Sequence, residues 1–147
     1  MTAVDAFETA LLTYLFNNTS IANIGDAGGI PVTVAPGSTQ MSLATVAYID
    51  ADTLLTADEV LYTGYARPTQ ARSAAGWTIA GDEASNAAVE EFGTMTAGGP
   101  DTVVHLGLGF MATGDILRLH ADLNADLVIN NTVNPQFAIG ALDWTLD

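Results

Sequence analysis

At 147 residues, 49% of them hydrophobic and only 7% aromatic, the chain has the length of one domain and enough apolar content for a thin, small-residue core without staples. Seventeen acids face three arginines and no lysine, a formal charge of −14, which repels polyphosphate and anionic lipid and so argues against direct nucleic-acid or membrane-surface binding. There is no cysteine, which removes disulfides and thiolate metal sites.

The N-terminus carries Asp5 and Glu8 and lacks the positive region of a signal peptide. No apolar run approaches the ~20 residues of a membrane-spanning helix. Residues 2–17 predict a helix: Val4, Phe7, Leu11, Leu12, Leu15 and Phe16 recur at three- and four-residue spacing, with Glu8 and Thr9 opposite. Thr2 or Asp5 is the expected cap, and the early acids suit the positive end of the helix dipole. Residues 18–40 read as a loop-rich arm, punctuated by glycine and proline, with a short edge strand over Ile30 to Val34.

From residue 41 the period falls to two, so 41–147 is expected to be a β-sandwich. Met41, Leu43, Thr45, Ala47 and Ile49 share one face of a first strand whose other face is also fairly apolar, which places it centrally. Leu61 to Phe92 reads as strands around Ala74-Ala75-Gly76 and Gly81-Asp82. Thr102 to Phe110 and Ile116 to Leu123 form a hairpin around Thr113-Gly114-Asp115. Leu127 to Ile129, Phe137 to Ile139 and Leu142 to Leu146 close the sheet. Some eight to ten short strands at roughly ten-residue spacing, without βαβ alternation, predict a mainly all-β single domain. Its architecture is an antiparallel β-sandwich or jelly-roll-like barrel with one N-terminal amphipathic helix.

Little in the chain points to catalysis or a cofactor. His105 and His120 fall on the two strands of the hairpin and can face each other, but a metal would need an acid such as Asp101, Asp115 or Asp122 as a third ligand. Asp122-Leu-Asn124-Ala-Asp126 opens like a calcium loop, yet Leu127 stands where glycine is needed and Val133 where a bidentate glutamate is needed. The many aspartates leave room for a surface calcium clamp between loops. Glu90 and Glu91 are neighbours on a strand, point to opposite faces, and read as strand-end charge rather than a catalytic pair. Gly107 and Gly109 precede no helix, so they read as places where something packs closely. Catalytic, cofactor and metal residues are therefore expected to be none. In so acidic a chain Arg67 and Arg72 are expected to answer carboxylates, within the fold or across a subunit contact.

Five stretches carry a family resemblance: LTYLFNNTSIANI (Leu12 to Ile24), YTGYAR (Tyr62 to Arg67), GWTIAGDEASNAAVEEF (Gly76 to Phe92), TVVHLGLG (Thr102 to Gly109) and NPQFAIGALDWTLD (Asn134 to Asp147). In order and spacing they resemble small virion structural proteins of tailed double-stranded DNA bacteriophages, the tail-fibre and head-decoration proteins. The chain departs from that pattern in having no lysine and a longer glycine-rich 25–40 segment. The resemblance implies a non-enzymatic, oligomeric virion component with an all-β body. The expected role is a capsid decoration or cement protein on the outer surface of the head, with a trimer favoured and the major capsid protein or other virion proteins as partners. The alternative is a tail or neck fibre or spike component that binds carbohydrate, with Tyr62, Tyr65, Trp77 and Trp144 as candidate rings. The contact candidates are Phe7, Leu11 and Leu15 on the helix, Ile30 and Val32 in the arm, and the two arginines Arg67 and Arg72.

Overall fold

The N-terminal apolar spacing forms helix α1 (Asp5–Asn17) in the computed structural model, which describes residues 3–22, 24, 29–110 and 114–146. Val4, in an extended conformation and without a side-chain hydrogen bond, occupies the N-cap. Asp5 therefore lies inside the first turn with Glu8, and Thr2, the other expected cap, lies outside the described residues. The buried face is Glu8, Leu12 and Phe16, an i, i+4, i+8 stripe, not the broader stripe with Glu8 outside that the sequence suggests. Phe16 sets this rotation: its ring meets that of Trp77 edge-on, centroids 4.6 Å apart, and Glu8 two turns earlier is carried inward with it. Asn18 ends the helix in the left-handed region, at φ 51°, which asparagine tolerates better than most residues.

The strands in chain order are β1 (Ser38–Ala44), β2 (Thr69–Ala71), β3 (Trp77–Ala80), β4 (Glu83–Asn86), β5 (Glu90–Glu91), β6 (Asp101–Gly109), β7 (Leu119–Ile129), β8 (Gln136–Phe137) and β9 (Asp143–Thr145). They form three sheets of order β2-β1-β6-β7, β3-β4-β9 and β5-β8. The fold is thus mainly β, antiparallel, with one N-terminal helix. The chain gathers into two compact units, each assembled from separate stretches: residues up to 38 with 70–89 and those from 137 on, and residues 39–69 with 90–136.

In the first unit α1 packs on β3 and β4. The β3–β4 hairpin turns at Gly81-Asp82, and Gly81 takes the positive φ of 67°. The arm contains no strand over Ile30 to Val34, only a single bridge between Ile21 and Ile30. Pro31 has no N–H with which to continue that ladder, and Val34 is fully exposed. What holds the arm is Asn18, whose side chain accepts from the Thr33 N–H (3.1 Å) and hydroxyl (3.0 Å) and donates to the Thr33 carbonyl (3.0 Å).

In the second unit β1 is central, as its two apolar faces predict, with every residue from Thr39 to Ala44 buried. It ends at Ala44 instead of continuing to Ile49. Its last partner on β6 is His105, the Ala44 bridge then goes to Glu59, and the Thr45 N–H turns to the Asp58 carbonyl. Val46 and Ile49 are consequently exposed, and Tyr48 folds back into the core with Ala44, Leu55 and Leu117. The β6–β7 pair is longer than expected because Leu127 to Ile129 continues β7 past a bulge. Val103 faces Leu127, but His105 faces Asp122, so Leu123 to Asp126 stand opposite Val104 alone, and the acidic Asp122 to Asp126 run lies within a bulged strand instead of a calcium loop. Ile116, expected to open this strand, only bridges Leu54.

Residues 62–67 are not a regular strand; they lie against 92–97 through the Thr63–Ala97 bridge and the Ala66 N–H to the Phe92 carbonyl (2.9 Å). Gly64 and Gly93 make this approach possible: both have positive φ, and a Cβ on Gly93 would strike the Gly64 carbonyl. The Tyr62 hydroxyl seals the contact by donating to the Phe92 and Gly93 carbonyls, each at 3.0 Å. Burial, with Asp101 adding to it, pushes this phenol up to about 12. Its contribution to stability is therefore complete below the ordinary tyrosine value of ~10 and is lost as the pH rises through about 12. Absorbance at 295 nm is expected to show a late phenolate step near pH 12 that disappears in Tyr62→Phe; an unchanged profile in that variant would contradict the assignment.

Candidate functional site

Three clusters of polar side chains stand out, and two of them use the arginines singled out in the sequence. Arg67 grips Glu59 with both arms of its fork: Nε donates to Oε1 and Nη2 to Oε2, each at 2.6 Å, while Nη1 donates to Asp115 Oδ1 at 2.6 Å. Glu59 Oε1 also accepts from the Tyr65 hydroxyl at 2.6 Å, and that hydroxyl accepts from the Leu43 N–H at 3.1 Å. The hydrogen bonds to Glu59 raise the Arg67 guanidinium above its ordinary range. Burial, followed by the Glu59 contact, does the same for the Tyr65 phenol. The cluster is therefore an ion-pair clamp inside the second unit, with the guanidinium at its centre.

Arg72 does not answer a carboxylate in its described contacts. It donates from Nε to the Leu15 carbonyl (2.6 Å), from Nη2 to the Tyr14 carbonyl (2.9 Å) and from Nη1 to the Pro36 carbonyl (3.0 Å). The last turn of α1 has no basic residue of its own, and its exposed carbonyls carry the negative end of the helix dipole. Arg72 supplies the missing charge from a distant part of the sequence and ties the helix end to the arm. Burial lowers its pKa.

The third cluster is at the β6–β7 hairpin. His120 faces Gly107, two residues along from His105, and the rings meet on the diagonal with His105 Nε2 and His120 Nδ1 3.0 Å apart. Tyr48 packs against both, edge-on to His105, and sits over Gly107, where a Cβ would come within 2.9 Å of its ring. That is the close packing which the strand glycines predict. The Tyr48 hydroxyl donates to the Leu55 carbonyl (2.7 Å) and pairs with Ser42 Oγ (2.9 Å). Among the described residues no group of three or more His, Asp or Glu is arranged to hold a metal ion.

Of the predicted contact residues, Phe7 and Val32 are exposed, and Leu11, Leu15 and Ile30 are half-buried. Phe7, Leu11, Leu15, Ile30, Val32 and Arg72 all belong to the first unit, whereas Arg67 belongs to the second. Arg72 and Asn18 bring the helix and the arm together. The candidate sugar-stacking rings are not at the surface: Trp77, Tyr62 and Trp144 are buried and Tyr65 is half-buried. Because 62–67 is not a regular strand, Tyr62 and Tyr65 do not diverge as strand alternation would demand; their rings meet edge-on, 5.3 Å apart. Glu90, expected as exposed strand-end charge, is wholly buried, while Glu91 is exposed, so strand alternation separates the two as predicted.

Comparison with known proteins gives one informative result. The family model described as "Podophage GP4 fiber I protein gp80" matches residues 3–145, nearly the whole chain. No curated protein matches it.

Proposed function

We propose, from the premise that this chain belongs to the podophage GP4 fibre I protein (gp80) family, that it is a structural subunit of a tail fibre and works by packing against other virion proteins. The observation that carries this reading is the extent of the family match, which covers helix, arm and both units instead of one shared module. A virion structural role is common to decoration and fibre proteins, and the family's description as a fibre protein favours the fibre over the capsid decoration that the sequence put first.

The arrangement of side chains supports an assembling role over an adhesive one. Sugar recognition by ring stacking needs exposed aromatic faces, and every tyrosine and tryptophan is buried or half-buried. Phe7, at 41% exposure, is the aromatic residue most open to a partner among the described residues. With Arg67 and Arg72 engaged inside their units, the surface offers almost no cation, so partner surfaces that are neutral or basic suit it best. Association as a homo-oligomer, with the outer face of α1 and the arm in contact, is part of this proposal.

Immunogold labelling of intact particles, combined with quantitative mass spectrometry, tests the assignment. Label at the tail and a copy number far below that of the major capsid protein is the expected result. Even labelling of the head at a copy number comparable to the capsid protein would overturn it and restore the decoration role.

A further inference from the structure

We propose that His105 and His120 form a two-histidine site for a divalent first-row transition ion such as Zn2+ or Cu2+, a property independent of the fibre assignment. The facing nitrogens, His105 Nε2 and His120 Nδ1, are 3.0 Å apart. Two metal–imidazole bonds of ~2.0–2.1 Å at a tetrahedral angle place their nitrogens about 3.3–3.4 Å apart. The rings have to part by only a few tenths of an ångström. The far nitrogen of each ring already faces a carboxylate. Asp122 Oδ1 lies 2.8 Å from His105 Nδ1, at ion-pair distance but out of line for a hydrogen bond, and Asp50 Oδ1 lies 3.7 Å from His120 Nε2. A carboxylate beside each far nitrogen favours the tautomer that carries its N–H there and so leaves the facing nitrogens free for an ion, although neither makes a hydrogen bond as placed.

Access and orientation fit as well. His105 is buried, but the His120 side chain is 26% exposed, and both aspartates are open to solvent, so an ion can enter beside His120. Tyr48 holds both rings from one side, and its hydroxyl is committed to Ser42 and Leu55. Tyr48 is therefore a wall and not a ligand. With two protein ligands, water completes the coordination sphere. Neutral imidazole prefers Zn2+ and Cu2+ to the hard ions Ca2+ and Mg2+, and the chain's net charge of −14 raises the local cation concentration. One N–H occupies the space between the facing nitrogens when both rings are neutral. An ion takes the place of that hydrogen, and the proton moves to the far nitrogen of the same ring, so neutral rings bind the ion with no net loss of a proton.

Two measurements on the full chain decide the matter. Calorimetric titration with Zn2+ is expected to give one ion bound per chain. Electron paramagnetic resonance of the Cu2+-loaded chain is expected to show coupling to two imidazole nitrogens. His120→Gln, at the more exposed ring, should bind Zn2+ at least tenfold more weakly while its circular dichroism spectrum stays that of the wild type. Asp50→Asn, which keeps both ligands, should weaken binding by up to about tenfold. Absence of Zn2+ binding by the wild-type chain would overturn the proposal. So would equal binding by folded His120→Gln, since the ion would then sit on surface carboxylates.

Discussion

Replacing Arg67 with alanine is expected to cost about 3–5 kcal/mol of stability, the range for removing one partner of a buried ion pair. The reason lies with Glu59, whose side chain is only 7% exposed and which would lose both guanidinium donors while staying buried. The Tyr65 hydroxyl alone would remain on that carboxylate. Arg67→Lys should recover only part of the loss, because an ammonium cannot span both oxygens in the fork arrangement. The double variant Arg67→Met with Glu59→Met should recover most of it, since it removes the charge and its desolvation together. Asp115, half-exposed at 52%, contributes far less, so Asp115→Asn should change stability by about 0–1 kcal/mol. Urea unfolding of the four variants reads all of these effects. An Arg67→Ala protein within about 1 kcal/mol of the wild type would show that the clamp is ornamental.

Trp77→Ala is expected to be at least as damaging in the first unit, at about 3–5 kcal/mol. Trp77 is wholly buried and is the largest fully buried side chain among the described residues. It stands at the start of β3 and receives Phe16 from α1, so truncation opens a cavity where helix meets sheet. A helix of 13 residues is marginal by itself in water, which makes its docking depend on this contact. Circular dichroism at 222 nm should therefore lose helical signal at a lower urea concentration than in the wild type. Phe16→Ala should act in the same direction, and a double-mutant cycle should give a coupling of about 0.5–1.5 kcal/mol for the edge-on pair. Full retention of helical signal in Trp77→Ala up to the wild-type midpoint would refute this account.

Much of the fold was legible because the patterns that encode it are local. The helical spacing of Leu12 and Phe16, the turn at Gly81-Asp82, the two apolar faces of β1 and the facing of His105 and His120 on one hairpin all follow from periodicity over a few residues. The misplaced features have a different origin. Thr45 to Ile49 alternates as a strand should, but its pairing with β6 stops at Ala44 opposite His105, and the Thr45 N–H goes to the Asp58 carbonyl instead. The buried Glu8 follows from where Phe16 docks, which is a matter of packing across sequence-distant elements. Arg72 was expected to meet a carboxylate, and no residue near it in sequence announces that the free carbonyls of a helix end lie within its reach. Each of the two compact units is assembled from separate stretches, so no composition shift or linker along the sequence marks them.

Composition and short-range periodicity are enough to specify the strand-rich antiparallel class, the N-terminal helix and the acidic charge, whereas family membership rests on the likeness of its ordered stretches to other virion proteins. Only the tertiary structure decided that the aromatic rings are core and not platform, that two arginines are spent inside their units, and that two histidines meet with a carboxylate behind each. Those outcomes depend on which distant backbone and side-chain groups come together, and burial is a property of that assembly, not of any residue's neighbours in sequence.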